Sequence, residues 1–241
     1  MEKVEWGWVV MGKPKQFDQW QKAWQAVCAD VHIVNNNRWD GFGTPGSNDY
    51  FEFSGYLELV KSMRTEGPYI IANDTWFKTH HSALWSRLLR NFLKTDVRKD
   101  CVFGDIRKEP SEFVEKPSPY LSSWIFFIPN RLVLQEFQGC LERAIATSRE
   151  ANFSRGYLDY VAGWLQPKNR LYGWHKPSAD TSVLERKRNS IYIEHQLNAE
   201  LLNAGLDLVS LGHDQKRLYR ILRLVDRLQT RLNAWGLFPF T

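Results

Sequence analysis

Short apolar runs and helix-spaced stretches take turns along this chain, and that alternation constrains the fold more than any other feature. Trp6 to Met11 reads as a strand, broken by Gly12 and Pro14. Phe17, Trp20, Trp24 and Val27 recur at spacings of three and four, which predicts a helix over 17–27. Val31 to Val34 reads as a second strand, ending in Asn35-Asn36-Asn37. Strand, helix, strand at this spacing implies a right-handed parallel unit. A polar, glycine-bearing loop runs from Arg38 to Asn48, and Phe51 to Met63 is helical by its period. Tyr69-Ile70-Ile71-Ala72 then reads as a buried strand, followed at once by Asn73-Asp74-Thr75.

The later part continues the pattern. Helices are predicted over 82–93, 132–146, 191–204 and 216–233, the third capped by Ser190 and stopped by Gly205. Trp124 to Ile128 and Leu206 to Leu211 read as strands, and Asp105 to Ser118, charged and proline-bearing, as loop. Residues 147–189 carry no single period. The expected class is α/β: one mostly parallel, Rossmann-like sheet flanked by helices. Residues 1–212 are expected to form one domain, with 213–241 a basic amphipathic helix and tail packed on it.

Charge narrows the partners. Six basic residues and one acid lie between Lys216 and Arg231, so the net +5 sits there and the rest of the chain is balanced. The body therefore offers no broad basic surface to nucleic acid. In that segment Leu218, Ile221, Leu222, Val225, Leu228 and Leu232 form one stripe, with Lys216, Arg220, Arg223, Arg227 and Arg231 opposite. Such a helix suits an anionic membrane surface. Cys28, Cys101 and Cys140 have no paired spacing, which argues against a zinc site or a disulfide framework and for a reducing compartment. The first residues lack a basic-then-apolar pattern, so no signal peptide is expected, and no apolar run approaches a membrane span. The expected location is cytoplasmic, peripheral at the inner face of the cell membrane.

Asp74 is the first candidate for chemistry. A carboxylate at the carboxyl end of a central strand lies where open α/β sheets bind ligands. A hard cation carrying a diphosphate wants such an oxygen. Eleven tryptophans exceed what this length needs; most are expected in the core, and Trp76, Trp124 and Trp174 as walls for a ring-shaped ligand. His80-His81 point to different sides of any regular element and read as a packed or solvated pair.

In this order of elements the chain resembles the GT-A glycosyltransferases, in particular those that build bacterial surface polysaccharides such as O-antigen and capsule. The resemblance is carried by Trp8-Val9-Val10, Val31 to Asn35, Gly46-Ser47-Asn48, Phe53 to Tyr56 and Gly67 to Thr75, and again by Leu121 to Phe127 and Ile193 to Leu197. It departs from the family pattern in three places. Asp74 is the sole acid of the aspartate motif, Asn35 to Asn37 replace an aspartate, and Glu194-His195 replace an acidic pair.

The resemblance implies a transferase that moves a sugar from a nucleotide-diphosphate donor to a saccharide or lipid-linked acceptor. It implies Asn35, Asn37, Asp40, Gly46, Asn48 and Asn73 around the nucleotide sugar. Asp74 holds Mg²⁺ or Mn²⁺ against the diphosphate. Glu194, in the first turn of its predicted helix, is the base, with His195 beside it. Trp124 and Trp174 would face the acceptor. The alternatives are a nucleotidyltransferase acting on sugar phosphates, of which Met11-Gly12-Lys13-Pro14-Lys15 is a thin echo, and a non-catalytic saccharide-binding module.

Overall fold

The computed structural model describes residues 3–37, 40–80, 82–95, 97–108, 119–165 and 180–234. Its strands are β1 (Val4–Val10), β2 (Cys28–Asn35), β3 (Thr44–Pro45), β4 (Tyr69–Asn73), β5 (Cys101–Lys108), β6 (Pro119–Ile128) and β7 (Asp207–Ser210). They form one sheet in the order β3-β2-β1-β4-β6-β5-β7. Every neighbouring pair is parallel except those of β6, which runs antiparallel to β4 and β5. The fold is thus α/β with a mostly parallel mixed sheet, as the alternation of elements predicts.

Helices cover both faces. On one lie α1 (Phe17–Trp24), α3 (Ala83–Phe92) and α7 (Lys216–Ala234); on the other α2 (Glu52–Ser62), α4 (Arg131–Glu150) and α6 (Thr181–Asn203). A further helix, α5 (Arg155–Leu165), packs on α6. Local chemistry sets several starts: Ser82, Asn130 and Asp180 each accept a backbone N–H of the first turn of α3, α4 and α6. Successive residues of β1 alternate between faces, Trp6, Trp8 and Val10 to one and Val9 to the other. Gly7 and Gly55 let α2 close onto β1. A Cβ on Gly7 would lie 2.6 Å from Met63, and one on Gly55 2.6 Å from Val9. This close approach sets the first turn of α2, with Glu52, over the end of β1.

Three expectations are corrected. Asp105 is not in a loop: apolar Cys101-Val102-Phe103 start a strand that continues through it, and the residue is 0% exposed. Residues 109–118 lie outside the described residues. The helix expected from Ile191 begins at Thr181, capped by Asp180, so Glu194 sits in its middle rather than its first turn and no helix-terminus dipole acts on it. The apolar stripe of α7 divides: Leu222 is buried and Leu218 and Val225 half-buried, while Ile221 and Leu228 are exposed. Tyr219, Arg223 and Asp226 share the inward side, because buried polar groups await them there.

Candidate functional site

A cleft of about 590 Å³ opens at the carboxyl ends of β1 and β4. Its floor is Val9, Val10 and Met11; Asn73, Asp74 and Thr75 form one side, and the amino-terminal half of β6 another. Because β6 is antiparallel, its start rather than its end reaches this edge.

A bulge in β6 shapes that wall. Pairing with β5 jumps from Gly104–Phe126 to Asp105–Ser122, so Ser123 and Trp124 leave the ladder. Their neighbours' side chains satisfy the freed backbone. Glu194 Oε1 accepts the Ser123 N–H at 2.7 Å, and the Ser123 carbonyl accepts from Tyr56 Oη. Asn198, one helical turn beyond Glu194, accepts from Leu121 N at 2.8 Å and donates back to its carbonyl at 3.2 Å. One oxygen of Glu194 therefore positions the strand.

Trp124 is 2% exposed and lines the cleft while its back is braced. His80 stacks on it at 4.0 Å, and its indole N–H donates to Asp105 at 3.0 Å. Asp105 also receives Arg107 at 3.3 Å, Arg223 at 3.1 Å and the Tyr219 hydroxyl. Burial works to raise the Asp105 pKa, but the two guanidinium groups and the donated hydrogen bonds outweigh it and hold the carboxyl below its usual range. Arg107 reaches the cleft from this anchor. Burial pulls its pKa down, yet Asp105 foremost, then Tyr120 and Glu194, leave it raised. The terminal helix α7 thus supports the site from behind.

Asp74 follows β4 directly, its N–H bonded to Val9 O at 3.0 Å, and its side chain faces the cleft at 20% exposure. Asn73 accepts the Thr75 N–H at 2.9 Å, which fixes the turn. Lys78 Nζ sits 2.6 Å from Asp74 Oδ2. Glu52 and Lys187, 3.6 Å apart, stand opposite on α2 and α6. His195 lines the same wall, its ring 4.9 Å from that of Tyr120.

The structure thus brings Asn73, Asp74, Trp124, Glu194 and His195 together from three separate parts of the chain. It does not bring Asn35, Asn37, Asp40, Gly46 or Asn48 into the lining; of that loop, Asn36 is the residue in the wall. Asn35 Oδ1 accepts from Gly12 N and Asn37 N at 2.9 Å each, and its amide donates to Phe42 O and Asp40. Asp40 also receives the N–H groups of Lys13 and Phe42. A Cβ on Gly46 would meet Asn36 Oδ1 at 2.3 Å, and Asn48 offers its carbonyl to Arg186. Asn35 and Asp40 thus spend their polar groups on this segment's own backbone and on Gly12 and Lys13, beside the cleft. Trp76, at 1% exposure, is core. Trp174 lies outside the described residues, as does His81.

Sequence reasoning missed Glu52, Lys78, Arg107 and Lys187. Lys187, Ser190, Ile191 and Glu194 recur at helical spacing, a signal readable once the helix is extended back to Thr181. Arg107 follows Asp105 by two, on one face of a strand read as loop. Among the described residues, no group of three His, Cys, Asp or Glu side chains is placed to hold a metal ion. Asp74 would offer such an ion one carboxylate already bearing an ammonium. No family model, curated protein or solved structure matches the chain.

Proposed function

We propose that the chain is a glycosyltransferase of GT-A type that moves a sugar from a nucleotide-diphosphate donor to a saccharide or lipid-linked saccharide in surface polysaccharide synthesis. One observation carries the reading: Asp74 and Glu194, singled out from separate motifs, line one cleft at the sheet's carboxyl edge. The cleft also offers Lys78, Arg107 and Lys187 to an anionic leaving group and Trp124 to a sugar face.

In the transfer, the bond from the sugar's anomeric carbon to the diphosphate breaks and its electron pair leaves with the nucleoside diphosphate. An acceptor hydroxyl oxygen forms the new bond, and its proton passes to the Glu194 carboxylate. His195 stands next to that carboxylate in the wall. The cations spread the charge of the departing diphosphate.

The test is a panel of nucleotide sugars with lipid-linked and free saccharide acceptors, read by released nucleoside diphosphate and glycosylated product. Transfer by the wild type that falls about a hundredfold or more in Glu194→Gln, with an unchanged melting temperature, is expected. Release of pyrophosphate from a nucleoside triphosphate and a sugar phosphate would make it a nucleotidyltransferase. Binding of free glycan without turnover would make it a saccharide-binding module.

A further inference from the structure

We propose that Lys78, seated on Asp74, takes the place of a divalent cation at the diphosphate end of the donor, so that this chain holds its nucleoside diphosphate without metal. The inference rests on the donor-site reading above and specifies its chemistry.

Residues Trp76–His80 form a single π-helical turn, a rare geometry that recurs at functional sites. Trp76, Phe77 and His80 are buried at 1%, 3% and 3% exposure and pin the turn into the tryptophan core. Lys78 is turned outward, its side chain 64% exposed and part of the cleft lining. Its position is thus set by a buried scaffold, although the side chain itself is wet.

The ammonium lies 2.6 Å from Asp74 Oδ2, where a cation bound to this carboxylate would sit. An ammonium carries three donors, of which Asp74 takes one. The other two suit phosphate oxygens, and lysine binds phosphate as a point charge. A divalent ion on Asp74 would have to displace Lys78 or share one carboxylate with it, against the repulsion of like charges. Among the described residues no group of three His, Cys, Asp or Glu is placed to hold such an ion. The other two cations of the cleft are likewise held by acids, Arg107 by Asp105 and Lys187 by Glu52. The cleft thus carries three oriented cations, each paired with a carboxylate, and Asp74 orients Lys78.

Calorimetric titration of the full chain with uridine, thymidine, guanosine, cytidine and adenosine diphosphates separates the possibilities. Each is run in EDTA and then in Mn²⁺ or Mg²⁺. The expected result is that at least one diphosphate binds in EDTA and that metal changes its affinity by less than about twofold. Lys78→Met should weaken that binding about tenfold to a hundredfold, the range of a charge-assisted hydrogen bond, with the melting temperature unchanged. Lys78→Arg should recover part of the loss. Binding that requires metal, or that Lys78→Met leaves intact, overturns the inference while keeping the donor site. No binding under either condition removes the donor site and this inference with it.

Discussion

The two faces of the sheet are packed from different materials. The face under α2, α4 and α6 is mostly aliphatic and phenyl, with Tyr56 and Tyr69 but, among the described residues, no tryptophan in its core. The face under α1, α3 and α7 holds seven of the chain's eleven: Trp6, Trp8, Trp20, Trp24, Trp76, Trp85 and Trp124. Trp6 and Trp8 stack at 5.4 Å, and Trp20 meets both edge-on at 4.9 and 5.0 Å. Indole brings a polar handle that hydrocarbon does not, so this face has N–H groups to settle. Those of Trp6, Trp8 and Trp20 have no partner among the described residues. Trp85 and Trp124 donate instead to Asp226 and Asp105, which α7 supplies or secures. The cleft lies where the faces meet: the aliphatic side delivers Glu52 and Glu194 on helices, and the tryptophan side delivers a braced wall. A large apolar side chain is thus enough to fill a core, whereas placing one beside a ligand site takes a polar anchor behind it.

Removing the anchor tests this most severely. Asp105→Ala should cost about 3 kcal/mol in urea unfolding, because it strands two guanidinium groups and two further donors. The milder Asp105→Asn adds a pH test. The folded-state pKa is depressed, since Arg107 and Arg223 with the donated hydrogen bonds outweigh burial. The stabilisation is therefore full above the unfolded value of ~3.9 and is lost as pH falls through the lower folded value. The melting-temperature gap between wild type and Asp105→Asn should hold steady from pH 7 to about 5 and close below about 4. A gap that widens in acid would mean the carboxylate is not what braces the wall.

The next comparison is within the tryptophans. Trp85→Phe should destabilise by about 1–3 kcal/mol more than Trp8→Phe. The first leaves buried Asp226 without its indole donor, whereas the second deletes an N–H that had no partner. Equal losses would show that volume alone governs this face. The smallest effect on stability belongs to the outer side of α7, where Ile221, Leu224 and Leu228 are exposed beside Lys216, Arg217 and Arg220. Replacing the three apolar residues with Ser should move stability by no more than about 0.5 kcal/mol per site. The same change should abolish sedimentation with liposomes rich in anionic lipid. Undiminished sedimentation would separate α7 from membrane contact and leave it a brace only. No helix among the described residues is long and apolar enough to cross a membrane.

The elements were legible where one period dominates. Phe17 to Trp24, Tyr69 to Asn73 and Lys216 to Ala234 declare themselves by spacing, and Ser82 announces its helix by its cap. The first half of α6 was not legible, because Glu185, Arg186, Lys187 and Arg188 carry no apolar stripe. That stretch is helical because Asp180 caps it and because Leu184 and Ile191 pack against α5. The strand through Asp105 was hidden by its own charge, which Arg107 on the same strand and Arg223 on a distant helix neutralise together.

By itself the sequence determined the α/β class, the turn that presents Asp74 at a strand's end and the helix that carries Glu194, since hydrophobic period and turn chemistry act over a few residues. Tertiary structure alone decided that Asp74 and Glu194 line one cleft and that Glu194 grips a bulge. It likewise decided that Asn35 and Asp40 bond to each other rather than face the cleft. Those outcomes depend on which unsatisfied donors and charges meet in space, and only the folded chain sets that.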